Sequence, residues 1–449
     1  MRLFAITVTI LVVLNSIGMA HSAGKEWPNF VLIFADDLGY GDVSTYQASD
    51  AQTPHIDRLA KEGLLFTSMR ANCTVCSPSR AALLTGLYPD RVGVPGVIRT
   101  HPKDSWGYFD PKVPTLANHL KKAGYHTALI GKWHLGLESP NLPNERGFDF
   151  FHGFLGDMMD NYTTHLRHGN NYMRRNRDVI RPAGHATDLF TEWAVDYLKG
   201  RAKAGAKPFF LYLAYNAPHF PMEPPAAWLD RVKDRAPGMD SKRALSVALV
   251  EHLDDAVGRV MRALKQSGLD RDTLVVFTAD NGGSVPHAQR NNPWRGGKQD
   301  HYDGGLRVPF AARWPGRVEA GARTDYTGLN FDLFPTFLQL AGAKIPPGLD
   351  ARNLVPVLEG RSPAEPRDLY FVRREGGIVY GGKSYEALIR GDWKLMQNDP
   401  WSPMELYNLK ADPQEKTNLA SQNRQKHNEL ANALREQIQR AGSIPWRKP

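Results

Sequence analysis

The chain has 449 residues, of which 42% are hydrophobic and 23% charged. That apolar share can bury a large core and excludes a chain disordered by composition. Lys and Arg number 56 against 47 for Asp and Glu, a net charge of +9, which suits an anionic substrate or surface. No run of five basic residues, no Cys/His finger spacing and no aromatic-rich RNA-binding segment accompanies the excess, so no nucleic-acid partner is expected.

Met1-Arg2 precedes an apolar run over 3–14 and then the small residues Gly18, Ala20, Ser22 and Ala23. This order reads as a secretory leader occupying residues 1–23, too short to span a bilayer, which takes about 20 apolar residues. No later stretch reaches that length. The expectation is an exported chain, periplasmic or secreted, without stable membrane insertion.

Residues 29–35 read NFVLIFA, an apolar run that fits a strand buried on both faces. Thr53-Pro54 opens a helix with Ile56, Leu59 and Ala60 at helical spacing, ended by Gly63. Further strands are expected at 64–67, 126–130, 208–215, 273–278 and 308–313, and helices at 115–122, 187–203, 241–266 and 331–340. This alternation predicts an α/β fold with a large mixed, mostly parallel sheet and helices on both faces. After Gly342 the chain turns to closely spaced prolines and short alternating runs at 369–372, 385–390 and 393–396, then a polar helix at about 420–441. Residues 24–344 are read as the main domain and 345–449 as a smaller C-terminal α+β unit with a short antiparallel sheet.

In open α/β sheets, ligands bind beyond the carboxyl ends of the strands. Asp36-Asp37, Lys132-Trp133-His134, Asn216 to His219 and Asp280-Asn281 each follow one of the strand runs. In a parallel sheet they would share one edge. Asp36, Asp37, Asp280 and Asn281 offer hard oxygen donors, which favour Ca²⁺ or Mg²⁺ over zinc. Three crowded carboxylates would repel one another without a divalent cation. Lys132, His134, His219 and Lys298 add cations and titrating groups suited to sulfate or phosphate. Singly, each is better read as a turn, a cap or a structural histidine; the shared placement makes them a site. His101, His119 and His126 lack it and are read as structural.

The two cysteines, Cys73 and Cys76, stand three positions apart. They cannot form a stabilising framework, which leaves a local redox pair, a metal pair or one thiol kept for special chemistry, and zinc would need a second pair. Residues 76–86 read CSPSRAALLTG. Ser77 can cap, Pro78 suits a first helical turn and 81–84 are good helix formers, so Cys76 is expected at a helix N-terminus, which attracts anions.

This segment resembles the activation motif of the sulfatases of the alkaline-phosphatase superfamily, Cys-x-Pro-Ser-Arg followed after three positions by an aliphatic residue, Thr and Gly. The resemblance continues through FADDLGYGD at 34–42, TPHIDRLAKEG at 53–63, GKWHLG at 131–136, APHFP at 217–221, FTADNGG at 277–283, GGK at 296–298 and ELYNLKADPQEKTNLA at 405–420. It implies an alkaline-phosphatase-like fold and an arylsulfatase-type sulfuric ester hydrolase. In such an enzyme a maturation enzyme oxidises Cys76 to formylglycine (3-oxoalanine). Asp36, Asp37, Asp280 and Asn281 would hold one Ca²⁺ together with residue 76, and Arg80 would hold the formylglycine hydroxyl. Lys132 and Lys298 would contact the sulfate, His134 would stand by the diol, and His219 with Lys298 would protonate the leaving oxygen. One hydroxyl of the hydrated aldehyde would attack sulfur, and loss of the second hydroxyl proton would then expel sulfate.

The expected partner is a sulfated small molecule or saccharide. Two other readings are a phosphonate monoester or phosphodiester hydrolase of the same superfamily, and a non-catalytic binder of sulfated polysaccharide with Cys76 unmodified. A Cys73–Cys76 redox pair lacks a thioredoxin-like context. The segments 147–162, with His152, Asp157 and Asn161, and 284–294, with Trp294, are expected to line the pocket. Asp160, His287 and Arg290 are the candidate substrate contacts there.

Overall fold

The run NFVLIFA forms β1 (Asn29–Ala35), with every residue buried, as a strand flanked by parallel neighbours requires. The structure, a computed structural model, describes residues 27–46, 48–203, 206–361, 367–375 and 384–448; the leader read at 1–23 lies outside them. The next strands are β2 (Leu64–Phe66), β3 (His126–Lys132), β4 (Phe150–Phe154), the small hairpin β5 (Leu166–Arg167) and β6 (Asn170–Asn171), β7 (Met173–Arg175) and β8 (Asp178–Val179). They are followed by β9 (Phe209–Ala214), β10 (Thr273–Ala279), β11 (Phe310–Arg313) and β12 (Ala322–Thr324). Ten of these make one sheet in the order β12-β2-β11-β10-β1-β9-β3-β4-β7-β8. Its five central strands, β10 to β4, run parallel, and antiparallel pairs flank them on both sides.

Alternate residues along the central strands face opposite layers. Val31, Ile33, Leu211, Leu213, Val275 and Phe277 pack with the helices Ala186–Arg201 and Ser241–Gln266. Leu32, Phe34, Phe210, Tyr212, Leu274 and Val276 pack with Leu116–Lys122, Leu333–Leu340 and the helix Cys76–Thr85. That last helix ends at Gly86, whose φ of 69° gives the left-handed turn a glycine supplies without cost. Ser77 is not its cap. Val75 holds the N-cap position with extended backbone and no side-chain bond, and the Ser77 hydroxyl accepts from the Ile98 N–H at 3.1 Å.

β4 carries no strand signal in the sequence, because His152 and Gly153 interrupt its apolar run. It lies parallel to β3 and brings 155–157 to the carboxyl edge. The C-terminal sheet is an antiparallel meander of β13 (Leu369–Arg374), β14 (Ser384–Arg390), β15 (Trp393–Gln397) and β16 (Glu405–Asn408). The helix Arg424–Arg440 covers it with Leu430 and Leu434 and begins after 420, where Asn423 caps it. Among the described residues no helix is long and apolar enough to cross a membrane.

Candidate functional site

Parallel register puts the ends of the central strands level. Ala35 lies opposite Ala279, Phe34 opposite Ala214 and Gly131 opposite Ala214. Asp36-Asp37, Asp280-Asn281, Lys132 and the 216–219 loop therefore emerge at one edge. The ladder carries one step past the strands, with Asp280 N–H donating to the Ala35 carbonyl and Asp36 N–H to that of Ala217, both at 3.1 Å. Asp37 turns into the left-handed region at φ 62°. Its N–H donates to Asp280 Oδ1 at 3.1 Å, and Asn281 Nδ2 donates to Asp37 Oδ1 at 2.8 Å. The three carboxylates and Asn281 are fully buried.

Cys76 opens its helix beneath this group, with Sγ 3.3 Å from Asp36 Oδ1. Ligand atoms of Asp36, Asp37, Cys76 and His219 lie within 4.8 Å of one another. Arg80, one helical turn further on, reaches Asp280 Oδ2 at 2.9 Å and Asp36 Oδ1 at 3.6 Å. Lys132 donates to Asp36, and Lys298 Nζ lies 2.7 Å from Asp37 Oδ2 and 3.0 Å from His219 Nε2.

The electrostatics show the crowding. Burial and the adjacent Asp36 push the Asp280 carboxyl up to about 7. Burial also opposes ionisation of Asp36, but Lys132, His219, Arg80 and Lys298 outweigh it and hold Asp36 well below the usual range. Two carboxylates so close cannot both ionise easily without a further cation. Burial and Asp36 push the Cys76 thiol well up, so at neutral pH it is not a thiolate and is a poor nucleophile as it stands.

Hydrogen bonds assign the two histidines. His219 Nδ1 donates to the Phe220 carbonyl at 2.6 Å, leaving the Nε2 lone pair toward Lys298. Burial lowers its pKa to about 4. His134 Nε2 donates to the Ile98 carbonyl at 2.8 Å, and its buried Nδ1 has no partner. Burial and Lys132 keep this ring neutral. Asn281 Oδ1 is likewise buried without a partner, a free oxygen in an acidic cluster, which fits a hard cation.

The residues named for metal, nucleophile and anion thus come together. Of the three substrate candidates, only His287 lies beside them. His287 stacks on Phe220 at 4.5 Å, and Phe220 stacks on His219 at 4.6 Å. Asp160 is instead committed to Arg167 and the His168 N–H, and Arg290 to Asp50 at 2.8 Å. Neither makes a hydrogen bond or ion pair to the gathered residues. Cys73 donates to the Val372 carbonyl at 3.2 Å while Cys76 meets Asp36. The two are separate free thiols, which removes the basis for a redox pair. Sequence reasoning missed Tyr162, whose hydroxyl meets the carbonyls of Asn216 at 2.9 Å and His219 at 2.8 Å, and the Ile98 carbonyl. No motif marks a backbone acceptor. A second cluster, His185, Asp188 and His252, is already bonded: His185 caps its helix by accepting from the Thr187 N–H, and Asp188 pairs with Arg259 at 2.8 Å.

Residues 28–343 match the family described as Sulfatase, which is well over half of the chain. The chain belongs to the sulfatase family. Residues 297–443 also match N-sulphoglucosamine sulphohydrolase, C-terminal. The N-acetylgalactosamine-6-sulfatase of Sus scrofa is 34% identical over 382 residues, covering 80% of this chain and 71% of that protein. Arylsulfatase A of Homo sapiens is 36% identical over 371 residues, covering 77% and 70%. The crystal structure of Ps i-CgsB in complex with k-i-k-neocarrahexaose matches with a TM-score of 0.85 at 30% identity, covering 94% of this chain and 95% of that one. This sulfatase is a sulfuric ester hydrolase.

Proposed function

We propose that this sulfatase removes sulfate from a carbohydrate ester, using a formylglycine made from Cys76 by a maturation enzyme together with one Ca²⁺. The observation that carries the reading is a buried Cys76 side chain at a helix N-terminus, with Sγ 3.3 Å from Asp36, inside a ring of carboxylates and cations at the sheet edge. Asp36, Asp37, Asp280 and the unpartnered Asn281 Oδ1 are the oxygens that would hold the ion. When present, the ion offsets the crowded carboxylates and polarises the ester, and the hydrated aldehyde supplies an oxygen nucleophile where the thiol is inert.

The chain's own residues do the rest. The charges of Asp36, Asp37 and Asp280 are balanced by Arg80, Lys132 and Lys298, so a divalent ion would make the pocket net positive and draw in a sulfate ester. Arg80 braces Asp36 and Asp280, while Lys132 and Lys298 neutralise the anion. Lys298, 3.0 Å from His219 Nε2, feeds a proton through that nitrogen to the departing alcohol. His134, neutral and with Nδ1 free, accepts the proton whose removal releases sulfate.

The carbohydrate class is supported by the saccharide named in the Ps i-CgsB complex and by the N-acetylgalactosamine sulfatases among the relatives. The leader read at 1–23 adds export to the proposal. The test is turnover of a panel of sulfated saccharides beside an aryl sulfate and a phosphodiester, with mass spectrometry of the peptide holding residue 76. Sulfate release from a saccharide and an aldehyde at residue 76 are expected. An intact thiol in active enzyme overturns the mechanism, and preference for the phosphodiester overturns the substrate class.

A further inference from the structure

Glu375 follows β13 and is buried, although it belongs to the C-terminal sheet and not to the strand edge that carries the site. Its Oε1 accepts from the Val97 N–H at 3.0 Å and from Arg99 Nη2 at 2.8 Å. Its Oε2 accepts from Arg373 Nε at 2.9 Å, and the same guanidinium donates through Nη1 to the Gln299 carbonyl at 3.4 Å. Each of these contacts ends one residue from a catalytic group or its partner. Val97 and Arg99 bracket Ile98, whose carbonyl accepts from His134 Nε2 and whose N–H donates to Ser77 Oγ. Gln299 follows Lys298, has φ 81°, and donates from its N–H to the Thr74 carbonyl at 3.0 Å, two residues before Cys76. The surfaces are pressed together: a Cβ on Gly96 would lie 2.4 Å from the Arg374 carbonyl oxygen and 2.8 Å from Glu375 Cγ.

We propose that Glu375 is a positioning residue, one carboxylate of the C-terminal sheet that fixes both the loop holding the His134 tautomer and the loop carrying Lys298. The inference rests on the roles given above to those two residues. Both carboxylate oxygens are needed, because one side serves Val97 and Arg99 and the other serves Arg373. An amide has one acceptor oxygen and turns a donor toward the other partners, so Glu375→Gln must release one of the two loops. Burial alone would raise this carboxyl, but Arg373 and Arg99 hold it below the usual range. The charge also stands between the guanidinium groups of buried Arg373 and half-buried Arg99.

The test compares Glu375→Gln, Arg373→Met and the control Asp368→Asn, which breaks the 2.6 Å ion pair to Arg390 in the same sheet without touching either loop. Peptide mass spectrometry first establishes equal conversion of residue 76, and wild-type turnover of an aryl sulfate is measured alongside. For Glu375→Gln, kcat is expected to fall about 10- to 100-fold, the scale for a catalytic group displaced by about 1 Å. KM should change less than about threefold, since ground-state binding is not what is lost. Asp368→Asn should keep kcat within about twofold at a similar thermal midpoint. Arg373→Met, which frees the Gln299 carbonyl while Arg99 still offsets Glu375, should lose kcat in the same sense and decides the matter if Glu375→Gln does not fold. Unchanged kcat in the folded variant, or an equal loss in Asp368→Asn, overturns the proposal. A wild type without sulfate-ester turnover would strike the catalytic reading beneath it, and the proposal with it.

Discussion

Two buried charge clusters in this molecule are built from the same residue types and do opposite things. Where the C-terminal sheet meets the main one, Asp303 accepts from Arg70 Nε and Nη2, Arg307 Nε and Lys394 Nζ. Glu415 lies 2.7 Å from Lys394 and accepts from the Asp303 N–H. Three cations meet Asp303, which Arg70, Lys394 and Arg307 hold well below the usual range against the opposing effect of burial, while Glu415, with Lys394 alone, is pushed up by burial. At the strand edge of the candidate site the carboxylates also face one another, each with a cation beside it. Asp280 is pushed up, and Asn281 Oδ1 and His134 Nδ1 are left without partners. In the first cluster three cations converge on one carboxylate; in the second each carboxylate has its cation, and the lone pairs of Asn281 Oδ1 and His134 Nδ1 stay open for a ligand. Burial alone does not distinguish a structural ion cluster from a catalytic one, but the state of its lone pairs does.

The contrast predicts that Asp280→Ala costs activity more than stability. Turnover should fall about 10³-fold or more, with calcium content lost and the unfolding midpoint lowered less than in Asp303→Ala, because relief of the carboxylate crowding offsets part of the lost Arg80 pair and Asp37 N–H bond. Retained turnover together with retained calcium would reject the ligand assignment. Stripping calcium from the wild type with a chelator should give a comparable loss, reversed by adding the ion back. Failure of added calcium to restore activity would point to a different cation.

Asp303→Ala should show the mirror image. Removing it leaves Arg70, Arg307 and Lys394 under-compensated in the interior, and breaking such a buried cluster costs about 3–5 kcal/mol. Turnover per folded molecule should hold within a few fold, since none of these groups touches the site. Its pH dependence follows from the depressed carboxyl. That stability is fully present above the unfolded value of about 3.9 and is lost as pH falls toward the lower folded value. Denaturant midpoints should therefore fall more steeply below about pH 4 in the wild type than in Asp303→Asn. Equal slopes would remove Asp303 from the acid sensitivity.

The same contrast shows what a sequence can disclose. Asp36-Asp37 and Asp280-Asn281 stand out because each follows an uninterrupted apolar run, so a parallel sheet must deliver them to one edge. Helix Ser241–Gln266 begins and ends where its 3.6-residue pattern does. β4 stayed hidden because its run is broken by a histidine and a glycine. Ser77 looked like a cap because the residue type suits that role, and only the approach of the Ile98 N–H, 21 residues away in the chain, shows where its hydroxyl is used. Asp160 and Arg290 looked like substrate contacts from their segments, whereas the ion pairs that occupy them depend on Arg167 and Asp50 reaching them in three dimensions. Glu375, Arg373 and Tyr162 act through backbone carbonyls and N–H groups, for which the sequence carries no letter.

Tyr162 offers the mildest test of whether the catalytic edge is held from within the chain. Its ring is buried against His185, with centroids 4.8 Å apart, and its hydroxyl meets the carbonyls at both ends of the 216–219 loop. Its own N–H and the neighbouring Asn161 side chain are tied to Glu223, so the ring should stay in place when the hydroxyl is removed. Tyr162→Phe leaves the buried His219 carbonyl short of a donor, while that of Asn216 keeps the His219 N–H, a cost of about 1–2 kcal/mol, and loosens the loop that aims His219 Nε2. The expected result is a kcat lowered about fivefold with KM nearly unchanged, together with a small drop in the unfolding midpoint. A drop in stability without a change in kcat would mean that Lys298, through its 3.0 Å contact, is enough to aim His219 by itself.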